Sequence, residues 1–156
     1  MSEGTGKVRD LSVETLSLVF KFLTKEEVVS IRPYLDYRVW GAGEILINDG
    51  DPGDFMGFVL AGKLAVKKET NFSGRFTLVA ILDRGAMVWE ISDVDRGLRT
   101  ATVVAIQKTE MLLITCDSID RILTDNPSLG VKLLKRIINV LSLRQGRAYD
   151  RLSSLL

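Results

Sequence analysis

The 156-residue chain has 46% hydrophobic residues, 26% charged residues and a formal net charge of +1, which is the balance of an ordinary globular protein. Its length predicts one domain. No apolar run is long enough to span a bilayer, so no membrane partner is expected. The first residues show no signal-peptide pattern, which predicts a cytoplasmic location.

The chain has no histidine and a single cysteine, Cys116, and this removes several kinds of chemistry. Neither a Ser/His/Asp nor a Cys/His nucleophile system can be assembled, and imidazole acid–base catalysis is impossible. A zinc site would have to be built from carboxylates. We therefore expect no enzyme, no metal site and no cofactor, and we interpret Cys116 as a small buried thiol.

The N-terminal part predicts a lead-in followed by two helices. Residues 1–9 lack any apolar period and predict a disordered lead-in, whereas residues 10–35 predict a helical pair. The first helix has apolar residues at helical spacing: Leu11, Leu16, Val19, Phe20 and Leu23. The candidate caps are Asp10 or Ser12 for the first helix and Thr24, with Glu27 as its capping-box partner, for the second. Pro33 is expected to end the second helix.

Over residues 36–116 the hydrophobic period becomes two, which predicts strands. The predicted strands are Asp36 to Trp40, Glu44 to Asn48, Phe55 to Ala61, Lys63 to Lys68, Arg75 to Leu82, Val88 to Glu90, Thr100 to Gln107 and Thr109 to Cys116. Glycine-rich turns separate them, and no helical segment for a parallel crossover intervenes. This pattern is typical of an antiparallel sandwich or barrel, so the fold class is mainly β with flanking helices.

Residues 117–156 predict two more helices. Asp117 is the expected cap of a short helix ending near Thr124, and Asn126 with Pro127 begins a long one. Along the long helix, apolar positions follow four-three spacing interrupted by one polar residue: Val131, Leu134, Ile138, Leu141, Gln145, Ala148, Leu152 and Leu155. This series, the seam, predicts a homodimer through residues 127–155.

An alternative for the long helix stays open, because its whole apolar face can also pack on the chain's own barrel. Leu133, Ile137 and Tyr149 lie beside the seam, and we expect them to face that barrel.

The order of these elements and two glycine-rich motifs resemble one family from Leu23 onward. The motifs are Gly43 to Ile47 and Gly50 to Leu64. The four glycines and two aspartates of the second motif match the family's opening strands. The chain resembles the cyclic nucleotide-binding domain of Crp/Fnr-type regulators, of kinase regulatory subunits and of cyclic-nucleotide-gated channels. The resemblance implies a double-stranded β-helix, or jelly-roll β-roll, and a regulatory rather than catalytic role.

The resemblance also assigns a phosphate-binding cassette within Gly85 to Val103. It implies that Glu90 accepts a hydrogen bond from a ribose hydroxyl and that Arg99 pairs with a cyclic phosphate. An arginine suits this role because its guanidinium offers two donors in a fork. Neighbouring groups, Ile91, Ser92 and Thr100, complete the implied cradle. On the last helix, Arg144 and Gln145 fall at the implied purine-contacting positions.

The cassette departs from the family pattern at its start. Trp89 replaces a glycine, Val88 replaces a phenylalanine, and Asp93 adds a negative charge. A tryptophan disfavours positive φ and fills space where backbone amides would approach a phosphate. Two interpretations therefore stay open. The chain is either a sensor of a cyclic purine mononucleotide, cAMP or cGMP, or a degenerate, non-binding interaction module of the same fold.

Transcription regulators of this family carry a DNA-binding helix-turn-helix after the long helix. Nothing of that kind follows it before Leu156, so DNA binding by this chain alone is not expected. A signal would pass to a downstream protein, which the sequence does not identify.

Overall fold

The structure is a computed structural model that describes residues 8–52, 54–88 and 101–156. The strands in these residues are β1 (Asp36–Trp40), β2 (Ile45–Ile47), β3 (Phe55–Ala61), β4 (Leu64–Glu69), β5 (Phe76–Leu82), β6 (Met87–Val88), β7 (Thr102–Ala105) and β8 (Thr109–Thr115). They form two four-stranded antiparallel sheets, with strand orders β1-β8-β3-β6 and β2-β7-β4-β5. The predicted jelly roll with flanking helices is confirmed.

Four helices flank the sheets in the described part of the chain. They are α1 (Val13–Val19), α2 (Lys25–Ile31), α3 (Cys116–Asp125) and α4 (Pro127–Ser153). Short 3-10 turns occupy Val8–Asp10 and Arg32–Tyr34. Within these described ranges, no helix combines the length and the apolarity needed to cross a bilayer.

Strand β3 is buried on both faces. A hydrophobic core lies against each face, and these two cores hold the layers together. One core lies between the two sheets and includes Val59 and Val88. The other lies between the first sheet and the helices and includes Phe20, Phe58 and Leu133. The rings of Phe20 and Phe58 meet edge to face with centroids 4.9 Å apart. The helices therefore cover one side of the roll through the alternate side chains of β3.

The predicted caps of the N-terminal helices are confirmed in their main features. The Ser12 hydroxyl accepts a hydrogen bond from the Thr15 amide at 3.0 Å, so Ser12 rather than Asp10 caps α1. Thr24 and Glu27 form the capping box of α2. The lead-in prediction was wrong at its end, because Val8 is buried within its 3-10 turn and Arg9 belongs to that turn. Residues 1–7 lie outside the described residues.

The cap prediction for α3 was wrong. The helix begins at Cys116, and the Thr115 hydroxyl accepts a hydrogen bond from the Ser118 amide at 3.1 Å. Asp117 thus lies in the first turn, where its negative charge still suits the helix N-terminus. Cys116 is a buried thiol outside any disulfide, as predicted.

Gly62 shows why the turn between β3 and β4 needs glycine. Its φ is +99°, and a Cβ there would lie 2.6 Å from the Thr109 Cα. Both the left-handed backbone and the close approach of β8 exclude a side chain. Gly62 is therefore a structural turn residue.

Helix α4 packs on the roll only as far as Arg144. Leu133 and Ile137 are buried, as predicted. Tyr149, expected to face the barrel, is 60% exposed, so that prediction was wrong. The reason is that every residue from Gln145 to the C-terminus is exposed, which places the end of the helix beyond the core.

The seam of α4 is largely uncovered. Its exposed large apolar side chains on the helix are Val131 (47%), Ile138 (64%) and Leu152 (59%), and Leu155 (82%) lies beyond the helix end at Ser153. Leu134 and Leu141 are half-buried against the helical core. These exposures contradict the alternative in which the whole apolar face packs on the chain's own barrel.

Candidate functional site

Residues 89–100, which hold most of the predicted site, connect the two sheets. Strand β6 ends at Val88 in one sheet, and β7 begins at Thr102 in the other. Six predicted site residues fall in this connection and lie outside the described residues: Trp89, Glu90, Ile91, Ser92, Arg99 and Thr100. The described residues show how both ends of the connection are held.

The start of the connection is anchored on β3. Val88 is buried and pairs with Gly57, a position at which a Cβ would lie 2.5 Å from the Met111 Cε. The Val59 amide donates a hydrogen bond to the Ala86 carbonyl at 3.0 Å just before β6. Because Gly57 has no side chain, β3 lies closely against the side chains of β8 at the level of Val88. The strand that leads into the predicted cassette is therefore held by the core.

The far end is anchored on the second sheet. Ala101 is buried, and the Thr102 hydroxyl accepts a hydrogen bond from the Asp49 amide at 3.2 Å. Asp49 lies in the turn after β2, where the Asp51 carboxylate accepts from the Asn48 amide at 3.2 Å. Asp51 thus bonds back to an amide of its own turn. The turn after β2 is thus tied directly to the end of the predicted cassette.

Arg144 links the last helix to the strand that leads into the cassette. Its side chain is half-buried, and its guanidinium donates a hydrogen bond to the carbonyl of Met87. Sequence reasoning selected Arg144 as a purine contact and missed this backbone acceptor, since a carbonyl group carries no sequence signature. The structure therefore brings one predicted site residue to the edge of the cassette.

Gln145 points away from that contact. It is exposed, and its amide nitrogen donates a hydrogen bond to the Tyr149 hydroxyl at 3.1 Å, one helical turn further on. Adjacent residues on a helix point about 100° apart, so Arg144 faces the roll while Gln145 lies on the seam. The two predicted purine contacts are thus separated in this structure.

Shifted pKa values fall outside this region among the described residues. Burial, with a hydrogen bond to Glu110, raises the pKa of Tyr37 to about 12. The hydrogen bond to Lys132 lowers the pKa of Glu27, and the hydrogen bond to Asp125 raises the pKa of Tyr34. Tyr37 lies on β1, at the opposite edge of its sheet from β6. These shifts reflect structural contacts at the roll edge and the helix surface.

The anchored connection, the jelly roll and the linked last helix define a class of regulatory ligand-binding domain. The family model of the cyclic nucleotide-binding domain matches residues 37–126. This chain belongs to the cyclic nucleotide-binding domain family.

Relatives and solved structures agree with that assignment. The cyclic AMP receptor protein of Thermus thermophilus is 32% identical over 96 residues, covering 62% of this chain and 44% of that protein. A cyclic nucleotide-binding domain from Methylobacillus flagellatus superposes with a TM-score of 0.85 at 27% identity, covering 97% of this chain and 87% of that one. The Thermus thermophilus catabolite activator protein gives a TM-score of 0.72 at 27% identity, covering 88% and 63%.

The chain spans only part of its curated relatives. It covers 44% of the Thermus protein and 59% of a CRP-like cAMP-activated regulator of Mycobacterium tuberculosis.

Proposed function

We propose that this chain is a regulatory sensor module that binds a cyclic purine mononucleotide, cAMP or cGMP. One observation carries the proposal furthest: Arg144 of α4 is hydrogen-bonded to Met87, directly before the predicted cassette, in a member of the cyclic nucleotide-binding family. The 32% identical relative is named as a receptor for cyclic AMP, which supports cAMP as the first ligand to test.

In the proposed complex, the ligand is held by its ribose and its phosphate. Glu90 accepts from the ribose hydroxyl, and Arg99 donates two hydrogen bonds to the cyclic phosphate. The backbone amides of Ile91 and Ser92 and the hydroxyl of Thr100 complete the cradle. Trp89 either turns outward or stacks on the base. This arrangement uses a charge-assisted contact that lysine cannot reproduce.

Arg144 is the proposed link between ligand and output. Its guanidinium donates to the Met87 carbonyl directly before the predicted cassette, and the family resemblance places a purine contact at this position. A ligand that shifts β6 changes the position of this carbonyl and hence the docking of α4. The ligand can bias α4 only as far as it binds the two arrangements with different affinity.

We further propose that the seam of α4 joins two copies of the chain. Self-association covers the exposed seam residues, and the polar Gln145 fixes the register of the pair. Substituting Ile138→Lys places two like charges at the centre of the seam and should weaken dimers roughly hundredfold. Asn139→Lys, exposed but off the seam, is the matched control. If sedimentation equilibrium gives the same dimer dissociation constant for both variants, the seam is not the dimer interface.

The nucleotide proposal is tested by comparing two arginine substitutions in calorimetric titrations with cAMP and cGMP. Arg99→Ala should abolish binding while leaving the melting temperature of the free protein unchanged. Arg38→Ala is the control, because Arg38 is exposed on β1, at the opposite sheet edge from β6. If Arg99→Ala binds the nucleotide as tightly as the natural chain does, Arg99 does not contact the ligand.

The sequence also favours a second candidate, a domain that keeps the fold and lacks the ligand. Its basis is Trp89 in place of the family's glycine, next to the buried Val88. In that case the protein acts through dimerisation alone, and Trp89→Gly should create nucleotide affinity that the natural chain lacks. Binding by the natural chain would rule this candidate out.

A further inference from the structure

The end of the β4–β5 hairpin projects beyond its sheet. Strand β4 pairs with β7 only from Leu64 to Lys67, whereas its pairing with β5 continues through Lys68↔Thr77 and Glu69↔Phe76. In the described part of the chain, residues 68–77 therefore form a two-stranded arm with no further strand beside it. We call this segment the arm.

The arm carries exposed apolar side chains at its tip and along one face. Phe72 in the turn is 70% exposed, and Phe76 on β5 is 54% exposed. Leu78, next to the arm on β5, lies opposite Lys67 and on the same face as Phe76, and it is 55% exposed. Large apolar side chains exposed together mark an interaction surface more often than scattered single ones do.

Hydrogen bonds hold the tip in one shape. The Thr70 amide donates to the Arg75 carbonyl at 2.8 Å, and the Gly74 amide donates to the Glu69 carboxylate at 2.8 Å. The Arg75 guanidinium lies over the Phe72 ring, 5.7 Å from its centroid. An ordered turn presents Phe72 with little further loss of conformational entropy when it binds.

The charge around the tip is positive. Residues 67–75 contain Lys67, Lys68 and Arg75 against the single carboxylate of Glu69. The whole chain has a formal net charge of only +1, so the positive charge around the tip is a local feature. Cations beside a protruding aromatic side chain complement a surface that is anionic outside and apolar beneath.

We propose that the arm is a docking site for an anionic lipid surface, with Phe72 entering the headgroup region and Lys67 and Arg75 contacting lipid phosphates. A convex tip suits a lipid surface better than a protein ligand that needs a groove. The expectation of no membrane partner was based on the lack of a segment long enough to span a bilayer. Peripheral contact with a lipid surface needs no such segment. The proposal is independent of nucleotide binding.

Co-sedimentation of the full chain with vesicles tests this proposal. The chain should pellet with vesicles of phosphatidylcholine and phosphatidylserine, and it should pellet far less with phosphatidylcholine alone or at high salt. Phe72→Ser should lower partitioning about tenfold. Lys67→Glu combined with Arg75→Glu should lower it at least about thirtyfold.

Two control variants use exposed positions elsewhere. Val29→Ser removes a 52% exposed apolar side chain of α2, and Lys21→Glu reverses an exposed charge, and both should partition as the natural chain does. Phe72→Trp should bind at least as tightly as the natural chain, because tryptophan favours the interface. Retained binding by Phe72→Trp would show that a loss in Phe72→Ser comes from the missing aromatic contact and not from a damaged fold.

Two results would overturn the proposal. One is failure of the natural chain to pellet with phosphatidylserine vesicles at low salt. The other is unchanged partitioning of Phe72→Ser. If the arm variants instead reduce self-association without lipid, and vesicle binding is absent, the arm is a contact between protein chains.

Discussion

Removing the hydrogen bond between Arg144 and Met87 should loosen the last helix from the strand that leads into the cassette. Arg144→Met keeps the aliphatic stem and removes the donors. A hydrogen bond from a charged donor contributes about 1.5–3 kcal/mol, and water partly replaces it at this half-buried position. The carbonyl of the buried Met87 also loses this hydrogen-bond donor, which adds to the cost. We therefore expect a loss of about 1–2 kcal/mol in the free energy of unfolding.

Urea denaturation measures this loss directly. With a slope of about 2 kcal/mol per molar, the midpoint should fall by about 0.5–1 M. Hydrogen exchange of the peptide covering residues 83–88 should accelerate in parallel, because β6 loses its tie to α4. Arg147→Met, at an exposed position of the same helix, should change stability by less than about 0.5 kcal/mol. Identical midpoints and exchange rates for the two variants would refute the link.

Two further substitutions test the structure away from the cassette. Gly62→Ala combines a left-handed φ with a Cβ 2.6 Å from the Thr109 Cα, so it should destabilise by about 3 kcal/mol. Gly146→Ala, in open space on α4, should stabilise by about 0.5–1 kcal/mol; the opposite order in thermal melts would contradict the reasoning. Because Lys132 lowers the pKa of Glu27 below its ordinary 4.5, this ion pair stabilises the fold above that pH and loses its effect as pH falls through the lower folded value. The exposed pair is worth at most about 1 kcal/mol, so Glu27→Gln, which keeps the capping pattern, should cost that much at neutral pH and almost nothing in acid. A cost that does not vary with pH would exclude the ion pair as its cause.

The fold was largely predictable because periodicity and caps act locally. The change from helical spacing to alternation at Asp36 and the return to helix near Cys116 both follow from one side of each element facing a core. The boundary at Cys116 shows the limit of this reasoning. The apolar run to Cys116 resembles one continuous strand, but Thr115 caps a helix because its own strand ends there.

The site was predictable only where side chains carry its chemistry. Glu90 and Arg99 were assigned by their match to a family motif, and their roles remain predictions. The contact from Arg144 to the Met87 carbonyl depends on how α4 lies across β6, which no local pattern encodes. The exposure of Tyr149 was missed for a related reason, since helical spacing shows which residues share a face but not where the supporting core ends.

Calorimetric titration of the natural chain with cAMP tests the central claim most directly. The account predicts measurable heat, one nucleotide bound per chain and a raised melting temperature with ligand. It further predicts that Arg99→Ala loses all three effects. No heat and no thermal shift at millimolar cAMP or cGMP would contradict a nucleotide sensor and leave the dimerisation module as the function of this fold.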